Sequence, residues 1–261
     1  MKIKMIVCDL DKTLLRTDGT FSAYTLDILE KCRSKGILLA FATARPKMTV
    51  RRFVDVVRPD IVITDGGALA RIGDEVIYHA MLSKPIANKI IHILRNSDHV
   101  GFITASSDHG YLTNYPISPE EDTSAADYIL TNTDFSKEIN FDIYKITPEI
   151  LNFEVVEEIT ALPNIAFMPF AGEKWGTFTH SEATKWQSIQ KAAHHLNIDI
   201  NNIAAFGDDF GDIEMLRGCG IGVAVENAIP EVKAIADQIC DTNDNDGVAK
   251  WLEENLFGGF K

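Results

Sequence analysis

An α/β fold, with a doubly wound parallel-sheet core and an inserted α+β cap domain, is predicted by three observations. Short runs that are apolar throughout alternate with helical patterns near both ends of the chain, as expected of parallel strands covered on both faces. The middle of the chain lacks this rhythm. That middle also closes on two consecutive strands, and only an antiparallel sheet accepts strands joined so directly.

The elements follow in order. "KMIVCDL" reads as a strand buried on both faces. Ser22 can cap a helix that runs to Lys35 and stops at Gly36. "ILLAFAT" is a second buried strand. Pro46 opens the next helix as its first residue, and Pro59 lies beyond its end. "DIVITD" is a third short strand, and "ALARIGDEVIYH" reads as a hairpin turning at Gly73-Asp74. From about Ser83 to Thr179 the pattern gives a helix, "VGFITAS", "GYLTN" and a polar loop around "SPEEDTSAA". Then come "FDIYKIT", a helix start at Thr147-Pro148, and strands "NIAFMPF" and "KWGTFTH". Afterwards Glu182 to Leu196 is helical, and "IAAFGD" and "GIGVAVE" are strands. Pro230 opens a short helix, "DQIC" is a short strand, and Gly247 to Leu256 is the last helix. The core is thus expected over 1–82 and 183–261, with the insert over 83–182.

Composition narrows the function. With 261 residues, 46% of them hydrophobic, the chain can form one large domain or two smaller ones, each with a core. A formal net charge of −13 repels nucleic acid and anionic membranes, and any phosphate site must supply local positive charge. Cys8, Cys32, Cys219 and Cys240 are scattered, without zinc-like spacing, as in a reduced cytoplasmic protein. No signal-peptide pattern precedes the first strand, and no apolar run approaches the roughly 20 residues of a membrane span. The expected location is the cytoplasm.

Ligands of a doubly wound sheet bind beyond the carboxyl ends of its strands. Asp9 and Asp11 follow the first strand, and Thr43 and Arg45 follow the second. Asp208, Asp209 and Asp212, in "GDDFGDIEML", follow "IAAF", and Lys185 sits in the helix that re-enters the core. Each alone is more often a helix cap, a strand-end hydroxyl or a surface charge. One chemistry needs them all: phosphoryl transfer through an aspartyl-phosphate. Mg²⁺ prefers hard oxygen ligands, which Asp9, Asp208 and Asp212 supply, and it cancels repulsion between nucleophile and phosphate. Thr43 and Lys185 can take the remaining phosphoryl oxygens, with Arg45 assigned to the same phosphate. Asp9 is then the nucleophile, and Asp11 the acid that protonates the leaving group and later activates water.

With these residues the chain resembles the haloacid dehalogenase superfamily, and within it the Cof-like branch of small bacterial phosphatases. "DLDKT" matches the first family motif, "FATARP" is similar to the second at Thr43, Lys185 matches the third, and "GDDFGD" resembles the fourth. The tail "GVAVENAIPEVKAIAD" resembles that branch as well, and the likeness covers essentially the whole chain. The resemblance implies that Asp9 is nucleophile and metal ligand. It implies that Asp11 is the acid/base, with its backbone carbonyl on Mg²⁺, and that Asp208 is a direct ligand. Asp212 would hold a metal-bound water or Lys185, and Thr13 would orient the loop. The insert would close over the substrate. Four positions depart from the pattern. Gly211 stands where the family usually has Asn, and Ala44 where it has Gly. Gly66 replaces the Asn of an Asn-Gly-Ala, and Glu226 the Gly of a Gly-Asn-Ala.

The expected function is therefore a Mg²⁺-dependent phosphatase for small phosphorylated metabolites, of the sugar-phosphate or cofactor-phosphate class. The alternatives are a phosphomutase of the same superfamily and a decayed member that only binds Mg²⁺ and a phosphorylated metabolite. A dehalogenase would need neither metal nor an acid at Asp11, and a phosphorylated receiver domain is about half this length. Tyr115, Phe167, Phe170 and Trp175 are candidates for the pocket or for the core of the insert, with core favoured for most.

Overall fold

The computed structural model describes residues 2–115 and 130–258. In chain order its elements begin with β1 Met5–Cys8, α1 Ala23–Ser34, β2 Leu38–Ala42, α2 Lys47–Val57, β3 Ile61–Thr64, β4 Leu69–Ile72 and β5 Glu75–His79. Then come α3 Lys84–Arg95, β6 Val100–Ser107, β7 Gly110–Thr113, β8 Leu130–Asn132, β9 Lys145–Ile150, α4 Glu154–Thr160, β10 Ile165–Pro169 and β11 Gly176–His180. The chain finishes with α5 Lys185–His195, β12 Ile203–Gly207, α6 Ile213–Gly218, β13 Ile221–Val225, α7 Pro230–Lys233, β14 Gln238–Cys240 and α8 Gly247–Leu252.

The larger sheet has eight strands in the order β14-β13-β12-β1-β2-β3-β4-β5. Its first six are mutually parallel, and the β4–β5 hairpin is added antiparallel at one edge. Every residue of β1 and β12 is buried, which is why both read as unbroken apolar runs. They sit side by side at the centre, so the loops after them meet at one point of the sheet's carboxyl edge.

The smaller sheet has six strands in the order β10-β11-β9-β6-β7-β8. It has two unlike faces. Ile103, Ala105, Ile146, Ile150 and Phe178 pack with α3 residues such as Ile90 and Leu94 into a separate apolar cluster. The alternate positions are polar: Thr104, Ser106, Lys145, Thr147, Thr177 and Thr179. All six are nonetheless buried, at 1–7% exposure. A polar face on an antiparallel sheet normally meets water. This one is covered by the carboxyl edge of the larger sheet, with Asp65, after β3, bonded to Ser106.

Several local expectations shift. Pro46 is the residue before helix α2 rather than its first residue. The helix expected from Glu182 starts at Lys185, where the Thr184 side chain accepts from the Gln187 amide. Helix α8 ends at Leu252 and continues as a wider turn over Glu253–Phe257. The helix start at Thr147-Pro148 is wrong, because β9 runs through both residues and the helix begins only at Glu154. Pro148 faces Ile103 where the register of β6 slips between Val100 and Ile103. A proline without an amide hydrogen is tolerated at such an irregularity. The strand β8 was not anticipated, and the polar loop around "SPEEDTSAA" lies outside the described residues.

Two glycines permit the approach of elements that carries the site. Gly67 has φ +106, and a Cβ there would lie 2.1 Å from the Thr184 carbonyl carbon. A Cβ on Gly207 would lie 2.5 Å from the Asp212 carboxyl carbon. Gly67→Ala is expected to destabilise the fold by about 3 kcal/mol or more, since backbone must move as well as strain. Gly66→Ala, at φ +73 but with open space around its Cβ, should cost only about 1 kcal/mol. Urea unfolding of the two variants checks this; equal losses would mean that strain alone decides.

Candidate active site

Asp9 is the first residue after β1, and its amide donates to the Phe206 carbonyl of β12 at 3.0 Å. The backbone turns sharply beyond it, with Lys12 at φ 60. Asn227 holds this turn, its Nδ2 donating to the Lys12 carbonyl at 2.7 Å. Thr13 Oγ1 donates to Asp208 Oδ1 at 2.7 Å, tying the loop after β1 to the loop after β12. Asp212 Oδ2 accepts from the amides of Asp208 at 2.9 Å and Asp209 at 3.2 Å. Asp209 caps the short turn that follows, so it is structural.

Lys185 opens helix α5 and points its ammonium between two carboxylates. Its Nζ lies 2.6 Å from Asp9 Oδ1 and 2.6 Å from Asp212 Oδ1. Carboxylate oxygens of Asp9, Asp208 and Asp212 fall within 4.8 Å of one another, and all three residues are buried. Burial pushes the Asp9 carboxyl up; Lys185 opposes this, and Asp212 and Asp208 add to it. Asp208 is pushed to about 7, by burial first and by Asp212 second. Burial also works against the Lys185 ammonium, but Asp212 and Asp9 outweigh it and hold the ammonium above its ordinary value. Three buried carboxylates therefore face one ammonium, an excess of negative charge that proton uptake or a cation must relieve. Hard oxygen donors at this spacing suit Mg²⁺, so the residues fit the metal that the sequence implied.

Thr43 and Arg45 follow β2. The Arg45 amide donates to Thr43 Oγ1 at 3.1 Å. The Arg45 guanidinium grips Asp11 with two parallel bonds, Nε to Oδ2 at 2.7 Å and Nη2 to Oδ1 at 2.6 Å. The Asp11 carboxylate thus sits beside the three-acid cluster and not in it, and its side chain is 49% exposed.

These groups border a cavity of about 850 Å³ lined by Asp9, Asp11, Thr43, Lys185, Asp208 and Asp212. Its far wall comes from β10, the residue after it, and β11: Met168 and Phe170, with the hydroxyl-bearing Thr177 and Thr179. Of the four aromatic candidates, Phe170 lines the cavity, whereas the Phe167 ring packs on Phe178 in the apolar cluster of the smaller sheet, with centroids 4.8 Å apart. Tyr115 packs edge-on against Phe102 at 4.8 Å instead, and Trp175 bridges to Glu149. Glu214 and Arg217 of α6 also reach the wall, and Lys145 enters the seam between the sheets. Sequence reading passed over all three. Lys145 reads as part of the strand "FDIYKIT", where it shares a face with Phe141 and Ile143; its polar face shows only in the observed strand, which begins at Lys145.

The sequence profile described as haloacid dehalogenase-like hydrolase matches residues 6–252. The chain belongs to that family of hydrolases. It is 26% identical to the 5-amino-6-(5-phospho-D-ribitylamino)uracil phosphatase YitU of Bacillus subtilis, over 96% of each chain. It is 28% identical to the putative phosphatase YxeH of the same organism, over 96% of this chain and 97% of the relative. Among solved structures, the subclass IIB sugar phosphatase BT4131 superposes with a TM-score of 0.83 at 25% identity, covering 98% of this chain and 99% of that one.

If the acid cluster holds a divalent cation, Mg²⁺ should raise the melting temperature by mass action, since only the folded chain assembles the ligands. Asp208→Asn removes one carboxylate and should abolish most of that increase. Thermal melts with chelator and with excess Mg²⁺ measure both; an unchanged Mg²⁺ response in the variant would exclude Asp208 as a ligand.

Proposed function

We propose that this phosphoric monoester hydrolase is a Mg²⁺-dependent phosphatase that acts on small phosphorylated metabolites through an aspartyl-phosphate. The reading rests on one arrangement above all. A buried Asp9 is pinned by Lys185 beside Asp208 and Asp212, at the floor of a cavity large enough for a metabolite.

An Asp9 carboxylate oxygen attacks phosphorus, and the bond from phosphorus to the ester oxygen breaks. Asp11 gives its proton to the departing oxygen. Water then attacks the phosphorus of the acyl phosphate while Asp11 takes the water's proton. The bond to Asp9 breaks, releasing inorganic phosphate and restoring both acids. Arg45, which does not itself line the cavity, holds both Asp11 oxygens in the resting site; one of these bonds opens for that oxygen to carry the proton, and the other keeps the acid oriented. Thr43 and Lys185 take phosphoryl oxygens. Mg²⁺, held by Asp9 and Asp208 with Asp212 and the Asp11 carbonyl in support, supplies charge neutralisation when bound. Residues 83–182 act as the cap that excludes water from the reacting centre.

The apolar wall of Met168 and Phe170 suits a leaving group with a ring or other apolar part. Thr177 and Thr179 suit hydroxyls. A sugar phosphate or a cofactor-precursor phosphate offers such groups. The name of YitU specifies a phosphorylated ribitylaminouracil, and that of BT4131 a sugar phosphatase. Phosphate release across sugar, nucleotide and cofactor phosphates with Mg²⁺ tests the reading, and Asp9→Asn is the control. It should lose at least about 10³-fold in kcat while keeping the fold, because an amide is not a competent nucleophile. Wild-type turnover by folded Asp9→Asn would defeat the mechanism.

Gly211 borders the same cavity, and nothing lies within 4 Å of a Cβ built on it. An Asn there adds a donor on the phosphate side. One hydrogen bond to a charged group contributes about 1.5–3 kcal/mol. Gly211→Asn should thus raise kcat/KM for simple phosphomonoesters by roughly 10–100-fold if the bond forms in the transition state. A selective loss on one substrate would instead mean that Gly211 makes room for that compound.

A further inference from the structure

We infer that Lys145, Ser106 and Asp65 are positioning residues, through which seating of the smaller sheet sets the loop that carries Thr43 and Arg45; this rests on the phosphatase reading above. Lys145 of β9 and Ser106 of β6 face each other across the antiparallel pair. Both lie on the polar face, since their strand neighbours Ile146 and Ala105 join the apolar cluster on the other side. Each reaches across to the larger sheet. Ser106 Oγ donates to Asp65 Oδ1 at 2.6 Å, and the Lys145 ammonium donates to the Ala44 carbonyl.

Those two acceptors belong to the loops after β3 and β2, and the loops are bound to each other. The Asp65 amide donates to the Arg45 carbonyl at 2.9 Å, and the Gly66 amide to the Thr43 carbonyl at 3.0 Å. Asp65 adopts φ 54 to make this turn. Gripping Ala44 and Asp65 therefore fixes the backbone on both sides of Thr43 and Arg45. Thr43 Oγ1 accepts from the Arg45 amide, and the Arg45 side chain holds Asp11. A shift of the smaller sheet is thereby passed to the hydroxyl, the guanidinium and the acid.

The chemistry of the contact supports coupling over simple adhesion. Asp65 and Lys145 are 1% and 5% exposed. Burial pushes the Asp65 carboxyl up and the Lys145 ammonium down, and each charge partly offsets the other. Apolar side chains of similar volume would join two sheets at less cost. A buried charge with directional bonds instead specifies one seating, since any displacement strands it without a partner.

The test uses the whole protein with Mg²⁺ and three readouts. These are kcat and KM for a small aryl phosphate, affinity for inorganic phosphate, and amide exchange of residues 43–45 and 65–67. Lys145→Met should lower kcat/KM about 10-fold or more, chiefly through kcat, as expected for loss of one charge-assisted bond. Exchange at 43–45 should speed up while that of β12 stays unchanged, and inorganic phosphate should bind several-fold more weakly. Ser106→Ala should move all three readouts the same way by less, and it decides the matter if Lys145→Met fails to fold. Asp65→Asn combined with Lys145→Met should lose less than the product of the single losses, as for groups that act together. A variant that melts earlier while kinetics, phosphate affinity and loop exchange stay unchanged would reduce these residues to adhesion and overturn the inference. Should wild type release no phosphate from any ester, the phosphatase reading fails, while loop exchange and phosphate affinity still judge the coupling.

Discussion

The Lys185 ammonium, held 2.6 Å from both Asp9 and Asp212, is the interaction on which the rest of the site depends. Without it three carboxylates would share a space from which water is largely excluded, and mutual repulsion would drive them to take up protons or move apart. The fold arranges several features around this contact. Helix α5 returns from the insert directly over the strand ends, and Gly67 lets its first turn approach closely. Gly207 makes room for the Asp212 carboxylate. One ammonium against three carboxylates still leaves negative charge in excess, the local charge that a divalent cation would neutralise.

The smaller sheet solves a second problem. Its helix-covered face is an ordinary apolar core, and its other face is made of hydroxyls and one ammonium. Such a face gains little by burying itself, so its contacts with the larger sheet are directional rather than merely adhesive. Near β9 and β6 those contacts are made to the catalytic loops. Near β10 and β11 the same sheet leaves a cavity, walled by Met168 and Phe170. One sheet thus provides both the fixed seam and the adaptable pocket, which suits a surface that must exclude water without being filled by its own side chains.

The departures from the family pattern divide by geometry. Gly66 and Gly211 both border the cavity, and both have open space where a side chain would begin. Their absent side chains enlarge the pocket and remove donors from it. Glu226 is of another kind, for it lies outside the cavity lining and pairs with Lys233 at 3.4 Å. Its neighbour Asn227 retains the bond that holds the turn after Asp9. The change at Glu226 therefore leaves the support of the turn after Asp9 in place, whereas the two glycines alter what the cavity can hold.

The sequence by itself determined the strands of the larger sheet, most of those of the inserted second sheet and the identity of the family. Buried parallel strands are apolar at every position, and four motifs in order are a specific signal. It also placed Asp9, Thr43, Lys185 and Asp208 at strand ends or at a helix start, because those groups lie beside punctuation that local pattern reveals. Tertiary structure alone decided the partners. Arg45 lies on Asp11, Asp65 accepts from Ser106, and Lys145 crosses from one sheet to the other. These contacts join residues 34, 41 and 101 positions apart, and no local period encodes such a distance. The same reason explains the error at Thr147-Pro148. Read locally, a threonine before a proline looks like a helix start. What keeps the pair in a strand is its neighbour β6, whose slipped register accommodates a residue that cannot donate.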